Sequence, residues 1–520
     1  VPDSTDTGEV GAEPADLPPG SGIDPAVGVT DRDLPSHTDP IVADLSSTIG
    51  GPVGAHAQIG RQRFWTPMRV LLLFGVIFLA LGWFTKAACI QQTRDDNGNL
   101  GLNWSDGSRQ YVAMCYTDIV PLYSAERLDQ GLFPYKTSWV EDGPDGEPQV
   151  RYMEYPVLSG LYQYVSMVIT KAWMSIPWTP KALEVVVYFN VVALGAAFAW
   201  LVTIWATALV AGRRRIWDIA IVACSPLVIV HAFTNFDTLA TAAMAIGILL
   251  WARRKPALAG VALGVGAALK MYPVFLLGPL LILAWRTGNM RAWVQAFTAA
   301  LLTWALVNLP IAVAFPAGWR EFFRLNRERG MDPDSIYNVV RSLTPWSGMD
   351  VPLLNAVSLI AFVLVCAAVA VVAATAPRRP RVASLMFLLL AGFLLVNKVW
   401  SPQYSLWLVP LAVLALPHTR ILLAWMAIDA LVWVPRMMYY LGPENKGLPI
   451  QWFTTTVAIR DIAVLVLCGL VLRTIYRPEV DPVRRDGTDD PAGGVLDGAP
   501  DVHDPSVLRR GRSRHPAPIG

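Results

Sequence analysis

Between Leu183 and Gly212 the only charged residue is Glu184. A run this long and apolar exceeds the roughly 20 residues that an α-helix needs to cross a hydrocarbon core. Similar runs recur at Met68–Thr85, Trp217–Phe233, Phe236–Ala252, Ala257–Leu269, Tyr272–Trp285, Trp293–Ala314, Leu353–Thr375, Val382–Val396, Gln403–Leu416, Ile421–Val434 and Gln451–Leu472. Inside lipid every backbone N–H and C=O has to be satisfied locally, which helices do and open sheets do not. The expected fold class is therefore an all-α polytopic membrane protein of about twelve transmembrane helices.

Composition agrees. Charged residues make up 16% of the 520, where a soluble chain carries about a quarter, and 54% are hydrophobic. The formal charge of +2 names no partner, and no basic stripe marks a nucleic-acid surface. Twenty Trp and fifteen Tyr fit aromatic belts at two membrane interfaces.

Basic residues set the expected direction. Arg61 and Arg63 precede the first run, and Arg213 to Arg215, Arg253 to Lys255, Arg286 to Arg291, Arg378 to Arg381, His418 to Arg420 and Arg473 fall in alternate connections. By the positive-inside rule these connections are cytoplasmic, as are both termini. That alternation leaves one segment over. Tyr155–Pro177, interrupted by Gln163 and Lys171, is expected to lie along the outer interface within a first external loop, 86–182. Residues 1–60 and 477–520 are polar, acidic and aperiodic and read as disordered tails. The first carries no basic n-region or short h-region of a signal peptide. Residues 61–476 form the membrane domain.

The unusual polar residues gather in the external connections. Asp118 follows a polar loop, where one carboxylate can act as general base towards a hydroxyl; the bland alternative is that Thr117 or Asp118 caps a helix. Asp106, Glu126 and Asp129 read as solvated, while Glu154 sits at the membrane edge beside Tyr155-Pro156. Lys270 and Lys398 end short apolar helices. A cation at mid-membrane costs about 2.5–3.5 kcal/mol on insertion scales, so each either faces a cavity, with a lipid phosphate as counter-ion, or snorkels to headgroups. His231 and Asp237 flank Asn235 and could bind a sugar or orient the turn. Of Arg320, Arg324, Arg327 and Arg329, Arg324 is the choice for bidentate phosphate binding. Tyr123, Tyr135, Trp346 and Tyr404 are candidate sugar-stacking surfaces. A disulfide between Cys89 and Cys115 would form if their loop faces an oxidising space; two free thiols are the alternative. Cys224, Cys366 and Cys468 lie in apolar runs. No D-x-D pair or His/Cys cluster marks a metal, and none is expected to be required.

Several of these pieces occur in a recognisable order: Thr117-Asp118 with Tyr123, Gly131 to Tyr135, Glu154-Tyr155-Pro156, Asn235-Phe236-Asp237, Ala259-Gly260 to Lys270-Met271-Tyr272-Pro273, and Ser401-Pro402-Gln403-Tyr404. In them the chain resembles membrane glycosyltransferases of GT-C type. The likeness is to the DUF2029 group, which contains mycobacterial mannosyltransferases that build phosphatidylinositol mannosides from polyprenyl-phosphate mannose. It departs at Val157, where that group often has a second Pro, and in the long insert Lys136–Arg151. The resemblance implies a GT-C-like bundle with interfacial helices in the first loop. It also implies an inverting transfer from a polyprenyl-phosphate sugar (mannose, with arabinose as alternative) to an envelope glycolipid or glycan, with Asp118 as base. The enzyme would sit in a bacterial plasma membrane with its site facing outward. Tyr155, Tyr272 and Gln403 join the expected substrate contacts on the same ground. Competing readings are a flippase for a lipid-linked sugar, which would call for internal repeats, and a non-catalytic scaffold.

Overall fold

The computed structural model describes residues 64–503 except 105, 106, 144, 145, 181 and 486. The expected tail 1–60 and Asp106 lie outside the described residues. The chain folds as an all-α polytopic membrane protein. Among the described residues, six helices are long and apolar enough to cross a membrane, and five apolar helices are shorter.

Helix α1, Pro67–Lys86, starts on Thr66, whose hydroxyl accepts from the Arg69 amide at 3.4 Å. The polar stretch after it is tied back by a disulfide between Cys89 and Cys115. It carries the hairpin Gln92–Arg94/Leu100–Leu102, helix α2 (Ile119–Ala125), the hairpin Trp139–Asp142/Pro148–Arg151, and helix α3 (Val157–Ser175). Helix α4, Glu184–Ala211, then runs the length of the bundle. Helix α3 runs antiparallel along the first half of α4: the Lys171 ammonium donates to Glu184 at 2.8 Å and the Tyr162 hydroxyl to the Val192 carbonyl at 2.7 Å, while Ser159 donates to the Leu269 carbonyl at 2.7 Å.

The next segment differs from a single span over Trp217–Phe233. It is broken into a 3₁₀ stretch Arg213–Ile219 and short helices Ala220–Ala223 and Pro226–His231. Ser225 is extended because Pro226 follows it. The broken segment still joins the two ends of the bundle. Arg215 donates to the Pro482 carbonyl at one end, and the Thr234 carbonyl accepts from the Asp118 amide at the other, both at 2.9 Å.

Helices α5 (Asp237–Ala252), α6 (Pro256–Leu269), α7 (Leu277–Arg286) and α8 (Met290–Ala314) follow. Gly260 and Gly264 let α6 and α8 almost touch: a Cβ at either would stand 2.1 Å from the Ala296 carbonyl oxygen or 2.5 Å from that of Ala300. Small residues one turn apart on both helices are how membrane helices gain packing without a hydrophobic drive. The amphipathic α9 (Pro316–Glu328) and α10 (Ile336–Leu343) lead to α11 (Val351–Thr375), α12 (Val382–Val396), α13 (Ser405–Ala415), α14 (Thr419–Leu431), α15 (Trp433–Tyr440) and α16 (Ile450–Tyr476).

Residues 477–503 contradict the expectation of a disordered tail. They pack across the end of the bundle away from Asp118. Asp481 pairs with Arg381, Asp489 with Arg378, and Asp501 with both Arg286 and Arg379, at 2.7 to 2.9 Å. Gly494, at φ +60, lies so close to the Trp251 carbonyl that a Cβ would fall 2.0 Å from its oxygen.

Candidate functional site

The site begins with a loop pinned to a turn. The Thr117 hydroxyl donates to the Phe233 carbonyl at 2.7 Å and also accepts from the Ile119 amide at 3.3 Å, so Thr117 does the capping. The Asp118 side chain makes no capping bond to α2. Its carboxylate is held from both sides instead: the Tyr116 hydroxyl donates to Oδ1 at 2.8 Å and the Asn235 amide to Oδ2 at 2.7 Å. Asn235 also donates to the Tyr155 hydroxyl at 2.9 Å. Burial, and then the Asp118 charge, raise the Tyr116 phenol above its usual range, which keeps it a donor.

Asp118 opens on a cavity of about 460 Å³ at this end of the bundle. Glu154, Tyr155, Asn235, Lys270, Gln403 and Tyr404 line it with Asp118. Burial, reinforced by the charge of Asp118, holds the Glu154 carboxyl above the ordinary carboxylate range. Lys270 follows the last residue of α6; its ammonium lies 2.7 Å from Asp237 Oδ1 and 4.3 Å from the centre of the Tyr404 ring. Trp407 donates to that same carboxylate oxygen at 2.8 Å and stacks between Tyr404 and Tyr272, with centroids 4.1 and 4.0 Å apart.

Other expected contacts stand outside the cavity. Asp237 positions Lys270 from behind. His231 is buried edge-on against Trp433. The Tyr123 hydroxyl donates to Glu184 and its ring stacks on Tyr188. The Tyr135 hydroxyl donates to the Pro156 carbonyl at 2.9 Å, and that of Tyr272 donates to Thr241 at 3.0 Å, so both brace the walls. Trp346 is absent from the lining. Lys398 is buried and spends its ammonium on the Arg329 carbonyl, and Arg324 is paired with Glu321 and Glu328. Neither faces the cavity. Glu126, expected to be solvated, is buried, and burial followed by the Glu154 charge pushes its carboxyl well up. Asp129 is exposed as expected.

The cations that do line the cavity besides Lys270 are Arg329 and Arg436. Arg436 is anchored on Asp334 at 2.9 Å, with its guanidinium 4.9 and 5.6 Å from the Tyr440 and Trp433 ring centres. Arg329 is paired with Asp332 at 2.7 Å. Tyr116, Trp433 and Tyr440 complete an aromatic wall, and the Lys86 ammonium lies 4.8 Å over Trp433 while donating to the Tyr116 carbonyl at 2.9 Å. One signal for this group was available: Trp433 to Tyr440 places two aromatics and an Arg at helical spacing beside a connection expected to be external.

Among the described residues, no three His, Cys, Asp or Glu side chains converge as metal ligands. The arrangement brings together one oriented carboxylate, three cationic side chains and a stack of aromatic rings. It can accept a proton at Asp118, bind an anion and face a sugar ring.

The model of Glycosyltransferase family 87 matches residues 164–397. The matched stretch holds Asn235, Lys270 and Arg329 but neither Asp118 nor Arg436. No curated protein matches the chain. The match supports a membrane glycosyltransferase.

Proposed function

We propose that the chain transfers a sugar from a polyprenyl-phosphate donor to a glycolipid or glycan hydroxyl, with inversion, using Asp118 as base. Residues 61–476 form the catalytic domain. What carries the reading is one juxtaposition: Asp118 shares a cavity with Lys270, Arg329 and Arg436. The acceptor O–H gives its proton to Asp118 while its oxygen attacks the anomeric carbon, and the carbon–oxygen bond to phosphate breaks. The phosphate leaves with the bonding pair, and the three cations balance its charge. A single carboxylate suffices because inversion forms no glycosyl-enzyme intermediate and a phosphate leaves unprotonated. Mannose is the first sugar to test and arabinose the second. The cavity end is taken as the outer face of a bacterial plasma membrane, because the Arg-rich connections gather at the other end.

The test supplies purified protein with radiolabelled polyprenyl-phosphate mannose or arabinose and a total lipid-glycan extract. Transfer of label to acceptor by wild type and its loss in Asp118→Asn, with unchanged elution from a sizing column, is the expected result. Donor recovered intact on the opposite face of a vesicle would mean a flippase, and undiminished transfer by Asp118→Asn would remove Asp118 from the role.

A further inference from the structure

Away from the catalytic cavity, at the end where residues 477–503 pack, the lipid-facing side of α6 and α8 carries an apolar groove of about 750 Å³. Its origin is the close crossing described above. Where Gly260 and Gly264 draw the helices together, Ala257 and Ala299 leave the surface hollow between them. Leu258, Val294 and Leu302 stand along it, each 49 to 63% exposed. An outward leucine on a span is ordinary, since acyl chains cover it. The unusual feature is the rim.

Lys255 and Arg291, the residues at the N-terminal ends of the two helices, both border the groove. Both are exposed, and neither makes a side-chain ion pair or hydrogen bond among the described residues. This sets them apart from Arg286, Arg378, Arg379 and Arg381 at the same end, all of which are held by tail carboxylates. Two uncompensated cations above an apolar slot match one kind of molecule, an anion with hydrocarbon attached. Basic pockets between membrane helices take such headgroups.

We infer that this groove binds one anionic glycerophospholipid, its phosphate between Lys255 and Arg291 and an acyl chain along Leu258 and Leu302. The site is distinct from the catalytic cavity and does not rest on the proposed transfer. A zwitterionic lipid fits less well, because its own ammonium would face the two cations. Arg253 and Arg254 lie at the same end but do not line the groove, which supplies a control.

Full-length protein in detergent, titrated with phosphatidylglycerol or phosphatidylcholine and observed by native mass spectrometry, tests the inference. Wild type should retain one phosphatidylglycerol in preference to phosphatidylcholine. Lys255→Ala/Arg291→Ala should weaken that adduct about thirtyfold, from about 1 kcal/mol for each of the two cations near a charged lipid surface. Thr298 also lines the groove, so Thr298→Trp, which fills it without changing charge, should weaken the adduct as well, whereas Arg253→Ala/Arg254→Ala should leave it intact. Equal retention of the two lipids, an unaffected Lys255→Ala/Arg291→Ala protein, or an equal loss in the Arg253→Ala/Arg254→Ala control would overturn the site.

Discussion

The amide of Asn235 donates to Oδ2 of Asp118 at 2.7 Å although 117 positions separate them. One comes from the loop after α1 and the other from the turn before α5, and the Thr117 hydroxyl on the Phe233 carbonyl and the Asp118 amide on the Thr234 carbonyl hold the two together. The carboxylate is thereby aimed before any substrate arrives. Asn235→Ala should lower kcat by about ten- to hundredfold with little change in acceptor KM, because positioning of a base is lost and binding is not. Steady-state kinetics with both substrates varied would show it; a change confined to KM would assign Asn235 to binding.

Lys270 and Asp237 form a pair in which the carboxylate is 1% exposed. Removing one member leaves an uncompensated buried charge, which costs about 3–5 kcal/mol. Lys270→Met should therefore depress both activity and thermal midpoint. Lys270→Met/Asp237→Asn should recover much of the midpoint and none of the activity. Recovery of both would make Lys270 purely structural.

Arg329 and Arg436 face the cavity while Arg324 does not. If the first two hold the leaving phosphate, Arg329→Gln and Arg436→Gln should each reduce kcat/KM for the donor about ten- to hundredfold, as expected for a charged hydrogen bond worth about 1.5–3 kcal/mol. Arg324→Gln should remain within about twofold in donor kcat/KM, since Arg324 does not line the cavity and Arg151 still pairs with the buried Glu321 at 2.9 Å. The measurement is donor-dependent initial rate.

Glu154 binds its proton more tightly when folded than its ordinary value of 4.5 allows, through burial and then Asp118. Folded protein thus carries the extra proton between the unfolded and folded values, so stability falls as pH rises through that window. Scanning fluorimetry from pH 4.5 upward should give a midpoint that declines less steeply for Glu154→Gln than for wild type. Parallel declines would exclude Glu154 as the group responsible.

Gly260 has the Ala296 carbonyl where a side chain would go. Gly260→Leu should force α6 from α8, destabilising by about 1–3 kcal/mol or more, and should shift Lys270 at the other end of the helix. A lower midpoint with reduced turnover is the expected pair of readouts.

Much of the architecture was legible because apolar runs with charged borders leave little choice. The bounds of α12 fall at Val382 and Val396 as read, between Arg381 and Asn397. The break at Ser225 was less so, since hydropathy continues through it; Pro226 was the available cue. For the site, Asp118 and Lys270 could be found because each interrupts an apolar context. Arg436 could not be preferred over other loop arginines without knowing that Asp334 anchors it and that Trp433 and Tyr440 flank it. Conversely Lys398 and Arg324 carried the right charge, but sequence did not reveal the carbonyl and carboxylates that occupy them. Residues 477–503 were misread for a related reason. Their order comes from arginines in distant connections rather than from any apolar periodicity of their own.

Those arginine pairs have a consequence in time. During synthesis the guanidiniums of Arg286, Arg378, Arg379 and Arg381 emerge before Asp481, Asp489 and Asp501 exist, so the insertion machinery meets them bare. Once the later segment docks, their charge is largely cancelled. The compensation is thus added last, and stripping the three aspartates would bare four guanidiniums beside Lys255 and Arg291, making an already basic end more basic still.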